Sequence, residues 1–108
     1  MDKKITEAIK RFEHALEELG IKAKKIIIFG SYAEGKARKH SDIDVLVISD
    51  DFKDMNLFKR LETIGLALAK AKIMEPIEAL GYTEEEYNSE GAGTFIGDEV
   101  KSKGVEVL

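Results

Sequence analysis

Apolar residues fall at helical spacing near the start of the chain. Ile5, Ile9, Phe12, Leu16 and Leu19 recur at intervals of four and three, which predicts one helix over about residues 2 to 19. Gly20 supplies a left-handed stop, and Lys22 to Lys25 form a basic turn. The pattern then changes period. Ile26-Ile27-Ile28-Phe29 is a short β-branched and aromatic run and reads as a buried strand ended by Gly30. Ser31 to Gly35 fit a short helical turn, Lys36 to Ser41 a polar basic loop, and residues 43 to 49 a second strand. Asp50-Asp51 could cap the next helical element. Leu57, Leu61, Ile64, Leu68 and Ala71 restore the helical period over about 55 to 72. Pro76 stands before a third strand, Ile77-Glu78-Ala79-Leu80, where proline is tolerated at the strand's start. Thr83-Glu84-Glu85-Glu86 is a capping box at a helix start. A last helix over 94 to 103 is broken by Gly104 before a tail strand, residues 105 to 108.

Composition narrows the class. The 108 residues suffice for one compact domain, residues 1–108, and not for two. There is no cysteine, so disulfides, thiolate metal sites and a cysteine nucleophile are excluded. The net charge of −4 makes a general duplex nucleic-acid binder a poor expectation, because such binding draws on many Lys and Arg contacts to phosphate. No apolar stretch approaches the roughly 20 residues of a membrane helix. The N-terminus opens on an amphipathic pattern rather than the apolar core of a signal peptide, so the chain reads as cytoplasmic.

Two devices carry chemistry. Gly30-Ser31 comes directly after the first strand: glycine lets a phosphate approach the backbone, and serine sits where the free amides of a helical turn would face an anion. Ten residues later Asp42-Ile43-Asp44 opens the second strand. Side chains alternate along a strand, so Asp42 and Asp44 share a face about 7 Å apart. Two carboxylates so placed repel each other, and a hard divalent cation relieves that cost. The plain alternative is an ordinary turn at Gly30-Ser31 and a pair of aspartates facing water. Lys36, Arg38, Lys39 and His40 between the devices could contact a triphosphate or form a solvated loop. A P-loop is the competing motif, since Gly30, Gly35 and Lys36 have its spacing. It fails at Ala37, which lacks the required hydroxyl, and Arg38 to Ser41 leave no room for the long helix a P-loop opens.

The stretch Gly30-Ser31-Tyr32-Ala33-Glu34-Gly35-Lys36-Ala37-Arg38-Lys39-His40-Ser41-Asp42-Ile43-Asp44 resembles the signature of the polymerase-beta-type nucleotidyltransferase superfamily. The short chain is similar to its minimal members, stand-alone catalytic domains of archaea and bacteria. The likeness is specific over residues 26 to 48 and loose, by element order, elsewhere. It implies an α/β (α+β) fold: a small mixed β-sheet with helices packed on one face. It implies ATP as substrate and two Mg²⁺ ions held by Asp42 and Asp44. It further implies nucleotide binding by Gly30 and Ser31, with Lys36, Arg38 and Ser41 of the same signature as companions. The family adds a third, catalytic carboxylate on a later strand, which binds metal and helps deprotonate the acceptor. Glu78 matches best, and Glu75, before Pro76, is its rival. Many relatives carry Asp there, so the longer Glu departs from their pattern.

The function implied is transfer of a nucleoside monophosphate, AMP from ATP, to a hydroxyl with release of pyrophosphate. Stand-alone members are often antitoxins paired with a helical toxin of the HEPN type, on which they can adenylylate a tyrosine. Residues 55 to 72 and the C-terminal segment could offer a face for such a partner or for a homo-oligomer. Two other readings stay open: a non-catalytic module that neutralises a partner by contact, and the catalytic subunit of an enzyme modifying a small molecule. Remaining candidates read as structural. His14 lies off the apolar stripe, Tyr82 and Tyr87 suit core packing better than base stacking, and Asp50 and Asp51 suit a helix cap.

Overall fold

A computed structural model describes residues 3–38, 41–91 and 93–108. The elements are α1 (Lys3–Glu18), β1 (Lys25–Phe29), β2 (Ile43–Ile48), α2 (Leu57–Lys70), β3 (Ile77–Tyr82), α3 (Glu84–Ser89) and β4 (Val105–Glu106). A 3₁₀ turn, Asp50–Phe52, comes after β2, and a π-helical segment, Ile96–Lys101, precedes β4.

The stripe on α1 buries Ile5, Ala8, Ile9, Phe12, Ala15 and Leu16. Leu19 lies past the helix end and is partly exposed. The helix closes as a Schellman motif: Ile21 N–H donates to Leu16 O at 2.9 Å and Gly20 N–H to Glu17 O at 3.0 Å. Gly20 holds φ +89°, a conformation that disfavours any side chain.

The sheet order is β3-β2-β1-β4. β1 pairs antiparallel with β2 and β4, while β2 and β3 run parallel, joined through α2. Alternation along the strands makes two apolar faces. Ile26, Ile28, Val45, Val47, Ile77 and Ala79 meet α1 and α2. Ile27, Phe29, Leu46 and Ile48 meet Ile96 and Val100 of the π-helical segment, flanked by Leu80, Tyr82 and Tyr87. The expectation of helices on one face is therefore corrected. The C-terminal segment covers the other, because these strands are apolar on both sides.

Three local expectations also change. The cap after β2 is Ser49, not Asp50-Asp51: buried Ser49 accepts from Asp51 N–H at 3.1 Å and donates to Lys22 O at 2.7 Å. Asp50 instead pairs with Lys24 at 2.6 Å, and Asp51 accepts from Lys22 N–H at 2.8 Å. The last helix is shorter than residues 94 to 103 and its core is a π turn. On α2, Ile64 and Ala67 turn inward, with Leu68 and Ala71 beside them, whereas Leu57 and Leu61 face outward.

The physical reason for that rotation is Arg60. Its guanidinium is largely buried beneath the first turns of α2 and lies over the Phe52 ring, 5.7 Å from the centroid. It donates to Met55 O at 3.0 Å and Gly81 O at 3.1 Å, and forks onto Glu86 at 2.6 and 3.1 Å. Glu86 is also the reciprocal partner in the Thr83 capping box, as its sequence spacing predicts. One cation thus joins α2, β3 and α3.

Arg60→Ala is expected to destabilise the fold by about 2 kcal/mol, since it strands partners of charge-assisted hydrogen bonds. Urea denaturation measures this. Arg60 is also the main cause that holds the Glu86 carboxyl below the usual glutamate range. Its stabilisation is complete above that range and fades as acid carries the pH below it. That acid-sensitive component should shrink in the variant, with the part due to the Thr83 capping box remaining; an unchanged acid limb would refute the role.

Candidate functional site

The register sets the site. Phe29 of β1 lies opposite Asp44 of β2, and Asp44 lies beside Glu78 of β3. Directly paired residues share a face, so Phe29, Asp44 and Glu78 form a row across three strands on the face away from α1 and α2. Asp42, two residues before Asp44, projects from the same edge and is exposed. Asp44 is half-buried. Burial, then the nearby charge of Asp42, pushes its carboxyl above the ordinary aspartate range.

Gly30 leaves β1 at φ +72°. A Cβ added there would lie 2.3 Å from Asp44 Oδ2. The Asp44 carboxylate therefore rests against the glycine backbone, in space that only a missing side chain leaves open. The Gly-Ser turn and the second aspartate are in direct contact.

Beyond Gly30 the chain forms hydrogen-bonded turns rather than a helix. Glu34 N–H donates to Gly30 O at 3.2 Å and Lys36 N–H to Ser31 O at 2.8 Å. Ser31 is half-buried at the head of these turns, while Lys36 and Arg38 are exposed beyond it. Lys36 Nζ lies 3.8 Å from Glu34. Ser41 folds back on Arg38: its hydroxyl accepts from Arg38 N–H at 2.8 Å and its N–H donates to Arg38 O at 3.0 Å. That pair closes the loop just before Asp42. Lys39 and His40 lie outside the described residues.

The rival carboxylates separate cleanly. Glu75 is almost buried and lies 3.6 Å from Arg11 of α1, with Oε1 accepting no hydrogen bond. Glu78 is exposed in the row with Asp44. Among the described residues no three His, Asp or Glu side chains close into a ready-made metal cluster. The donor set nonetheless suits magnesium. It offers hard carboxylate oxygens on one sheet face beside the side-chain-free backbone of Gly30, and magnesium commonly keeps waters and substrate phosphates among its ligands.

The two tyrosines belong to the opposite end of the sheet. Tyr82 pairs with Ile48, four residues along β3 from Glu78 and so on the order of 13 Å away. Lys101 Nζ lies 4.9 Å from the centroid of the Tyr87 ring, and both rings pack against the second apolar cluster. Phe95 is a site neighbour that the apolar pattern does not mark. It stands edge-on to Phe29 with ring centroids 5.6 Å apart. The only signal for it is an aromatic between Gly93 and Gly97 with no place in an apolar stripe.

Comparison with known proteins identifies the family and the fold. Residues 9–103 match the model of the nucleotidyltransferase domain family, and the chain belongs to that family. Its class is that of a nucleotidyltransferase. A candidate protein adenylyltransferase of Methanocaldococcus jannaschii is 50% identical over 44 residues, 40% of this chain. The matched stretch spans only 44% of that relative's length. The fold is similar to the crystal structure of a candidate nucleotidyltransferase from Sulfolobus solfataricus, with TM-score 0.58 and 23% identity, covering 98% of this chain and 86% of that one. It is also similar to the crystal structure of a toxin–antitoxin with AMP-PNP, with TM-score 0.57 and 18% identity, covering 95% of this chain and 72% of that one. Among the described residues no helix is long and apolar enough to cross a membrane.

Gly30→Ala carries a left-handed penalty of about 1–2 kcal/mol and a clash with Asp44. In an Asp44→Ala background the clash is gone. The penalty should then shrink by roughly 1 kcal/mol, a coupling that a denaturation double-mutant cycle measures. Equal penalties in both backgrounds would show that the two groups do not touch.

Proposed function

We propose that this chain is a Mg²⁺-dependent adenylyltransferase that moves AMP from ATP to a hydroxyl. The observation that carries the reading is the contact of the Asp44 carboxylate with the Gly30 backbone, in register with Glu78. Phosphate-approach and cation-holding groups then occupy one edge of one sheet. Gly30 and Ser31 would hold the phosphates, with Lys36 and Arg38 supplying counter-charge and Ser41 fixing the loop that carries them. Asp42, Asp44 and Glu78 would be the oxygen donors to two magnesium ions. When bound, these ions would neutralise phosphate charge and make the acceptor hydroxyl more acidic.

The acceptor oxygen forms a new bond to the α-phosphorus as the bond from that phosphorus to its bridging oxygen breaks. Pyrophosphate leaves with the electron pair. Glu78, exposed beside Asp44, receives the acceptor's proton and is preferred to Glu75, which is engaged by Arg11. Positioning and charge compensation supply most of the rate.

The acceptor we propose is a tyrosine of a helical, HEPN-type partner protein, in a toxin–antitoxin pair within the cytoplasm. The outward face of α2 supports a protein partner. Leu57, Phe58, Leu61 and Leu66 lie exposed along it, Phe58 by 80%, an apolar patch of the kind that marks an interaction surface. The same face could join two copies of the chain. The Asp44 carboxylate set on the Gly30 backbone, in register with Glu78, favours catalysis over neutralisation by contact alone, since a pure contact surface has no use for such an acidic row.

Asp42→Asn with Asp44→Asn should abolish AMP transfer, by at least about a thousandfold, while circular dichroism stays that of the parent. Mass spectrometry of candidate partner proteins after incubation with Mg²⁺ and ATP reads the transfer. Undiminished labelling by the double variant would sink the assignment. Phe58→Glu should break partner capture and leave binding of Mg²⁺ and ATP intact by calorimetry. Capture that survives this substitution would remove α2 from the docking face.

A further inference from the structure

We propose that Phe95 is the platform on which the nucleobase of the bound nucleotide stacks; this rests on the phosphate and metal site proposed above and adds the missing base contact. Phe95 is 55% exposed, and its ring stands edge-on to Phe29, at 79° between planes. Phe29 adjoins Gly30 in the chain and lies opposite Asp44 in the sheet. The Phe95 ring therefore flanks the end of the row where the phosphates would lie, on the face of the sheet that carries Asp44 and Glu78.

Its exposure is imposed by the backbone around it. Thr94 Oγ1 accepts from Gly97 N–H at 2.9 Å and donates to Gly91 O at 2.6 Å. Ile96, next in the chain, is 1% exposed and locked into the second apolar cluster. With both neighbours fixed, the Phe95 ring is held outward although burial of so large an apolar group would be favourable. A rigid, exposed aromatic beside a phosphate site is the arrangement that stacks a base.

The other aromatic rings are committed elsewhere. Phe12 and Phe52 are buried, and Tyr32 packs against the core beneath α1 and α2. Phe58 is on α2, across the sheet from the site. Tyr82 and Tyr87 lie in the cluster toward the opposite end of the strands. Among the described residues, Phe95 alone is an aromatic both well exposed and on the site face. Stacking accepts any base, so this platform gives affinity and a graded preference for larger ring systems rather than a base code.

Calorimetry in Mg²⁺ with two probes tests the proposal: AMP-PNP, which has a base, and inorganic tripolyphosphate, which has none. Phe95→Ala should weaken AMP-PNP about tenfold and leave tripolyphosphate unchanged, and Phe95→Trp should restore AMP-PNP. Equal AMP-PNP affinity in Phe95→Ala and the parent overturns the platform. So does a parallel loss of both probes, which would mark a merely structural residue. A parent chain that binds tripolyphosphate as tightly as AMP-PNP overturns the stacking role alone. One that binds neither overturns the phosphate site as well.

Discussion

A carboxylate resting on a bare stretch of backbone organises this molecule. Asp44 can stand in the central strand only because Gly30, leaving the neighbouring strand, has no side chain. Antiparallel pairing of β1 and β2 brings the two together, and parallel pairing of β2 and β3 sets Glu78 beside them. Both β1 and β2 are otherwise apolar on both faces, so any shift of register would move an acid into one of two cores. The site's geometry is thus a by-product of the packing that fixes the sheet.

The acidic row costs the fold something, and other parts compensate. Asp44 is held partly out of water with Asp42 nearby, which disfavours its charged form. Compensation comes from the far end of the sheet. There Arg60 ties α2, β3 and α3 together, and Lys24 bridges Asp50 and Glu84. The polar groups that stabilise the fold and those assigned to chemistry therefore sit at opposite ends of the same strands. The C-terminal segment serves both ends, since it closes the second apolar face and presents Phe95 near the acids.

Much of this is legible in one dimension. The stripe on α1, the three longer strands, the capping box at Thr83 and the stop at Gly20 come from local rules, and the structure reproduces them. The motif from Gly30 to Asp44 points to the family to which the chain belongs. Less local features escape such rules. Leu57 and Leu61 have the helical spacing of core residues, yet Arg60 claims the inward position through contacts some twenty residues away. The cap at Ser49 is hidden because its second partner, Lys22, is distant in sequence.

By itself the sequence determined the two long helices, the three longer strands and which residues are chemically able to hold phosphate and cation. Those depend on side-chain type and on neighbours within a turn or two. Tertiary structure alone decided that Glu78 rather than Glu75 joins Asp44, that both faces of the sheet are covered, and that Phe95 stands beside Phe29. Strand register and cross-chain packing set these outcomes, and both arise from pairings between residues far apart in the chain, which a local pattern does not encode.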